Sequence, residues 1–282
     1  MILVTGSTGT VGRAVIARLV AGRHPVRAVT RRPAEAHLPG AAEVVYGDPG
    51  RPETLAAALA GVSRVVLVSS GPALAEHDRN VAVAAARAGV EHIVKLSSGR
   101  AGDPAATDPI PTWHRAGEQA VRDSGPAWTI LRPLGFMSNA LHWAATVRAR
   151  DTVYAPFGQG RVAVIDPDDI AAVAVAVLTE PGHEGVVHTL GGPQALSPGE
   201  QTDILAGVLG RPLRYVQTTP AEAHAALWAA GVDAVQADAI MALRATALES
   251  FTSVIHPTVE SVTGRPARTF REWAWAHRSA FE

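Results

Sequence analysis

Gly6, Gly9 and Gly12 recur every third residue behind the apolar run Met1-Ile-Leu-Val-Thr5 and ahead of a helical pattern over residues 12–21. That spacing can do one kind of chemistry well, which is to hold a diphosphate. At a strand–turn–helix junction the first glycine permits a sharp turn. The second lets backbone N–H groups approach the anion, and the third lets the helix pack tightly on the strand. The N–H groups at the helix start, with the positive end of the helix dipole, form an anion site that needs no basic side chain. Gly6, Thr8, Gly9, Thr10, Val11 and Gly12 are therefore candidate contacts to the diphosphate of a dinucleotide. The plain alternative is an ordinary glycine-rich turn, and the strand-then-helix context weighs against it.

A dinucleotide bound there would bring its adenosine ribose to the end of the second strand. A carboxylate at that point would accept from the ribose 2′-hydroxyl and repel a 2′-phosphate. This chain has Thr30-Arg31-Arg32 instead. A hydroxyl and two guanidiniums suit a phosphate, and one charge-assisted contact is worth about 1.5–3 kcal/mol, a roughly ten- to hundredfold preference. NADP(H) is thus the expected cofactor, with NAD(H) accepted less well; two solvated arginines on a loop are the alternative. Asp48, in Gly47-Asp-Pro49, either holds the adenine amino group or caps the next helix. Ser69 and Ser70, after the fourth strand, would face the cofactor's ribose or diphosphate.

The elements that must position these groups alternate. Strands are expected at residues 2–5, 26–30, 43–46, 64–69, 92–96 and 128–131, and helices at 12–21, 52–60, 75–88, 112–123 and 140–148. Gly22, Gly61, Gly89 and Gly125 sit where left-handed helix-ending residues belong. Such an order implies right-handed crossovers and a parallel sheet covered on both faces. Residues 151–160 read as a loop and 162–165 as a strand. Asp166-Pro-Asp-Asp169 caps a helix rich in alanine and valine. A strand at 186–190 follows, then helices at 197–209, 221–230 and 234–249, with one strand near 213–217. The expected fold is α/β: a Rossmann-type doubly wound parallel sheet (residues 1–135 and 161–190) with a smaller, mostly helical C-terminal substrate lobe (136–160 and 191–282).

Bulk properties exclude several functions. In 282 residues the formal net charge is −1, which gives no reason to expect nucleic acid or an anionic membrane as partner. With no cysteine there is no disulfide, thiolate catalysis or Cys-ligated zinc. The histidines lack metal-binding spacing, so no metal is expected, and no G-x-S-x-G elbow suggests a hydrolase. No basic leader precedes the first strand, and the apolar stretch 170–178 is too short to span a bilayer. A cytoplasmic, bacterial protein is the expectation, and a homo-oligomer is left open.

Taken together, Thr5-Gly-Ser-Thr-Gly-Thr-Val-Gly12, Gly47-Asp48, Val94-Lys-Leu-Ser-Ser98, His114-Arg-Ala-Gly-Glu118, Thr129-Ile-Leu-Arg-Pro133, Phe136-Met-Ser-Asn139, Ile165-Asp-Pro-Asp-Asp-Ile-Ala171, Gly191-Gly-Pro193 and Thr269-Phe-Arg-Glu-Trp273 span nearly the whole chain. In this order they resemble the NmrA-like atypical short-chain dehydrogenase/reductases, in particular the NAD(P)H:quinone-oxidoreductase-like branch. The resemblance implies a substrate cleft under the helical lobe and a nicotinamide bordered by Leu131-Arg-Pro133. It also exposes a departure. The superfamily's Tyr-x-x-x-Lys pair would fall on Ile110 and His114, so the usual phenol proton donor is missing. Relatives without that pair either pass hydride to quinones or only sense the cofactor.

His114 would then hydrogen-bond the nicotinamide ribose or supply a proton, since imidazole titrates near neutrality; a histidine satisfied by backbone is the alternative. Ser97 and Ser98 end the fifth strand, where the superfamily places a catalytic serine, and otherwise cap a loop. Lys95, the sole lysine, reads as a packed stem with a solvated head. Trp113, Phe136, Met137 and Trp143, with Phe157, either line a pocket for a flat aromatic substrate or are plain core. The reading is an NADPH-dependent oxidoreductase that transfers hydride to a quinone or related aromatic carbonyl, in a bacterial biosynthetic setting. The alternative is an NADP(H)-binding redox sensor that does not turn over.

Overall fold

The computed structural model describes all 282 residues. Its first half runs β1 (Ile2–Val4), α1 (Thr10–Ala21), β2 (Val26–Thr30), β3 (Glu43–Tyr46), α2 (Leu55–Ala58), β4 (Arg64–Leu67), α3 (Leu74–Arg87), β5 (His92–Leu96), α4 (Pro109–Arg122) and β6 (Ala127–Pro133). There follow α5 (Ala144–Arg150), β7 (Thr152–Ala155), α6 (Pro167–Thr179), β8 (Val186–Leu190), α7 (Pro198–Leu209), β9 (Arg214–Gln217), α8 (Pro220–Ala229), α9 (Ala234–Ala245), α10 (Thr258–Thr263) and α11 (Phe270–Ala276).

Seven strands form one parallel sheet in the order β3-β2-β1-β4-β5-β6-β8. The order reverses direction between β1 and β4, and that crevice, outside the carboxyl ends of the strands, is where open α/β sheets bind ligands. Both faces are apolar because successive strand residues point opposite ways. Val4, Val66, Val94 and Leu131 pack under α1 and α6. Leu3, Val65, Leu67 and Ile93 pack under α2 and α3. A third core, with Phe270, Trp273 and Phe281 fully buried, holds α5, α7 and α11 together beside a two-stranded sheet of β7 and β9. Thus the expected fold class is present, and no helix is long and apolar enough to cross a membrane.

Three local expectations fail for identifiable reasons. Residues 151–160 are not all loop, because Thr152–Ala155 pairs in parallel with a strand some sixty positions later, a partner no local pattern announces. Residues 162–165 make only isolated bridges, Val162 to Leu196 and Phe136 to Ile165, since the Ala163 N–H donates to Thr252 of the C-terminal lobe instead of a strand neighbour. After α1 the left-handed residue is Arg23 (φ 58°), not Gly22 (φ −76°). The helix ends at Ala21 as expected, but the turn that closes it is one residue longer, the His24 N–H donating to the Leu19 carbonyl. Asp166 does cap α6, accepting from the Asp168 N–H at 2.9 Å.

Candidate functional site

The turn after β1 is built as a cradle. Gly6 is left-handed (φ 55°), and a side chain there would lie 2.8 Å from the Val68 carbonyl oxygen. At Gly12 a Cβ would come within 2.2 Å of the Gly6 oxygen, so only glycine lets α1 begin this close to the turn. The Thr5 hydroxyl donates to the Val68 carbonyl (3.0 Å) and accepts from the Val68 N–H (2.8 Å), stitching the ends of β1 and β4 across the crevice. Ser7 is held by the Val29 carbonyl at 2.8 Å. The N–H groups of Thr10, Val11 and Gly12 have no backbone acceptor, and the first turn of α1 carries no acidic side chain. Unfilled donors, a helix dipole and no competing carboxylate fit a diphosphate. Thr8, Gly9 and Thr10 are exposed on its rim, whereas the Val11 side chain is core, so Val11 offers only its N–H.

Beyond the cradle the predicted residues divide. Thr30 accepts from the Arg32 N–H at 3.2 Å, and the Arg32 guanidinium pairs with Glu35 at 2.9 Å in full solvent. Arg31 is exposed and makes no ion pair, so of the two guanidiniums its own is the unengaged one. Asp48 accepts from the Gly50 N–H at 3.0 Å and fixes its own turn; the residue capping the next helical turn is Arg51. Ser69 donates to Asp78 at 2.6 Å, while Ser70 faces a cavity. Pro133 is buried at the end of β6.

That cavity, of about 130 Å³, lies between the end of β4, α4 and α9. Ile110, Trp113 and His114 line it from α4, Ser70 and Gly71 from the β4 end, and Gln236 and Ile240 from α9. Only His114, Trp113 and Ser70 among these were expected. The two α9 residues carried no sequence signal, because an ordinary amphipathic helix does not reveal which neighbour it covers. Met137 is buried in the third core, while Phe136 and Trp143 are half-buried, packed against the first and third cores respectively.

Beneath the cavity lie two buried polar groups. Lys95, with no exposed surface, pairs with Asp78 at 2.5 Å and donates to the Leu96 carbonyl at 3.2 Å. The expectation of a solvated lysine head is therefore wrong: β5 is covered on both faces, so the ammonium must find its partner inside. His114 stands above this pair with Nδ1 buried and unpartnered. Burial first, and the Lys95 charge second, lower its pKa to about 3. It is therefore neutral near physiological pH.

Two positions further on, just past the end of β5, Ser97 donates to Glu118 at 2.6 Å. Glu118 also takes a two-pronged contact from Arg132 (2.8 and 2.6 Å) and one from Arg122 at 3.1 Å. Burial would raise its pKa, but the hydrogen bonds from Arg132 and Ser97 and the two guanidinium charges outweigh that, holding it below the usual range. The Ser97 hydroxyl is thus engaged in a closed ion cluster and is not presented to a ligand. Ser98 is only partly exposed and its side chain has no partner.

Comparison with known proteins agrees with this geometry. A family model described as NAD(P)H-binding matches residues 6–181. The (4-alkanoyl-5-oxo-2,5-dihydrofuran-3-yl)methyl phosphate reductase of Streptomyces griseus is 46% identical over all of this chain and 99% of its own length. The NAD(P)H azoreductase of Xenophilus azovorans is 41% identical, again over all of this chain and 99% of its own. The crystal structure of the NADPH-dependent quinone oxidoreductase of Escherichia coli with NADPH superposes with a TM-score of 0.85 at 30% identity, covering 99% of this chain and 100% of the other.

Proposed function

From the premise that this chain belongs to the NAD(P)H-binding family, as an NmrA-like atypical short-chain dehydrogenase/reductase and an NAD(P)H-dependent oxidoreductase, we propose that it reduces a quinone, or a similarly flat conjugated carbonyl, seated between α4 and α9. The observation that carries this reading is the unpartnered Nδ1 of a neutral His114 beside a cavity walled by Trp113, Ile110 and Ile240.

When bound, the coenzyme supplies hydride. The chain's own residues do the rest. The N–H groups of Thr10, Val11 and Gly12 hold the diphosphate, and Arg31 with Thr30 selects a 2′-phosphate. Ile110, Trp113 and Ile240 keep water from the acceptor's face and present a flat surface to it. A neutral imidazole cannot protonate the acceptor, but it donates a hydrogen bond to an oxygen that becomes more negative as hydride arrives. Lys95 helps to keep it neutral. Quinones and unsaturated carbonyls tolerate this, because the charge left after hydride addition spreads over the conjugated system and water can protonate it afterwards. The missing phenol at Ile110 therefore costs little for such acceptors, whereas a simple ketone would need the acid.

Mixing the protein with NADPH and a panel of quinones, azo dyes and unsaturated lactones tests the reading through loss of the reduced-nicotinamide absorbance. Acceptor-dependent oxidation, with simple ketones inert, is expected. Tight NADPH binding with no oxidation across the panel would overturn it in favour of a redox sensor.

A further inference from the structure

Arg244 is a charge without a counter-charge. It lies on α9 at the third step of the stripe Gln236, Ile240, Arg244, and the first two line the cavity. On a helix of 3.6 residues per turn it projects within about 40° of Ile240. Side chains also lean toward the helix N-terminus, the direction of the cavity-lining turn at Ile240. Arg244 is partly buried, yet it makes neither an ion pair nor a hydrogen bond, and burial alone pulls its pKa down with no carboxylate opposing. The acids on either side of it in sequence have other partners: Asp238 pairs with His224 at 2.8 Å and Glu249 with Arg100 at 2.6 Å. The Arg100, Arg132 and Arg268 guanidiniums, by contrast, all meet carboxylates. The other ionisable group that feels Arg244 is His142, whose pKa is lowered by burial and then by that same positive charge.

A partly shielded arginine with no carboxylate opposite it gains from a ligand that supplies the counter-charge. We propose that Arg244 seats an anionic substituent of the acceptor, a phosphate monoester or other oxyanion, at the α9 side of the cleft. The proposal rests on the cleft being the acceptor site. The cofactor's own phosphates belong to the start of α1 and the end of β2, so the anion is the substrate's. The acceptor class narrows accordingly to flat conjugated carbonyls bearing one negatively charged arm.

The test uses a non-reducible planar pair, 2-naphthyl phosphate and 2-naphthol, titrated calorimetrically into the full-length protein saturated with NADP⁺. Because neither is reduced, the outcome does not depend on the quinone reading. Wild type is expected to bind the phosphate at least about tenfold more tightly than the alcohol. Arg244→Gln should abolish that difference while the alcohol binds as before, and Arg244→Lys should keep part of it. Equal affinities in wild type would overturn the proposal. So would a parallel loss of both ligands in Arg244→Gln, which would mark a structural role. Should Arg244→Gln not fold, wild type and Arg244→Lys decide. If the naphthyl pair behaves as expected but no quinone or lactone is reduced, the acceptor assignment falls and the anion seat stands.

Discussion

Two buried polar groups share the seam between β5 and α4, and they are built to opposite ends. Lys95 and Ser97 alternate on one face of β5, and His114 and Glu118 are one helical turn apart on α4, so the same geometry is used twice. Around Glu118 every acceptor is taken, by Ser97, Arg132 and Arg122. Around Lys95 the ion pair with Asp78 is closed, but the imidazole above it keeps a buried nitrogen with nothing to bind. A saturated cluster fixes backbone; an unsaturated one next to a cavity waits for a ligand. The contrast locates function more sharply than the residue types do, since serine and glutamate are as chemically able as histidine.

The largest effect should come from breaking the closed cluster. Glu118→Ala strands the Arg132 guanidinium and the Ser97 hydroxyl under α4 and is expected to cost about 3–5 kcal/mol in denaturant unfolding. His114→Leu removes an unsatisfied polar atom and should change stability by less than about 1 kcal/mol. If the two substitutions cost the same, the distinction between the clusters is lost.

Activity should order the same two positions in reverse. His114→Gln, checked by its circular dichroism for an unchanged fold, is expected to lower kcat/KM with a quinone about ten- to hundredfold through loss of the hydrogen bond to the acceptor. Ser97→Ala should act mainly on stability, and a loss of turnover larger than its loss of stability would return Ser97 to the reacting atoms.

How much of this was readable beforehand follows from locality. The cradle is local: Gly6, Gly9 and Gly12 lie within one turn, and the strands β2, β3, β5 and β8 have the bounds their apolar runs suggest. Lys95 was misjudged because its partner Asp78 is on α3, and burial of a strand on both faces is a property of the sheet. Met137 and Trp143 looked like pocket aromatics and apolars, but the third core that Met137 joins and Trp143 packs against is completed only by distant residues such as Leu205, Phe270 and Trp273. Gln236 and Ile240 were silent for the same reason, since only the packing of α9 on α4 brings them to the cleft.

A smaller effect lies at the far end of the crevice. Arg31→Ala should reduce the preference for NADPH over NADH about tenfold, measured as a ratio of dissociation constants. Arg32→Ala, whose guanidinium is already paired with Glu35, should reduce it less. An unchanged ratio in the double variant would remove the basis for a 2′-phosphate site and leave the diphosphate cradle untouched.

The finest discrimination between the clusters is by pH. Unfolded, His114 would titrate at its ordinary 6.5, and folded it stays neutral down to about 3. Between those values the unfolded chain binds the extra proton. The imidazole's neutrality is therefore a stability contribution that is complete above about 6.5 and declines as the pH falls, by at most about 1.4 kcal/mol per unit. Glu118, held below its usual range, contributes in the same sense but only at lower pH, as its own proton returns. Unfolding free energies of wild type and His114→Leu should accordingly diverge from about pH 6.5 downward, with the variant losing less. Over the same interval kcat/KM should show no limb assignable to the imidazole, because the neutral form that donates to the acceptor is already fully populated. A limb near 6.5 that vanished in His114→Gln would mean that the ring gives up a proton after all, and the open cluster would then work as an acid rather than as a fixed donor.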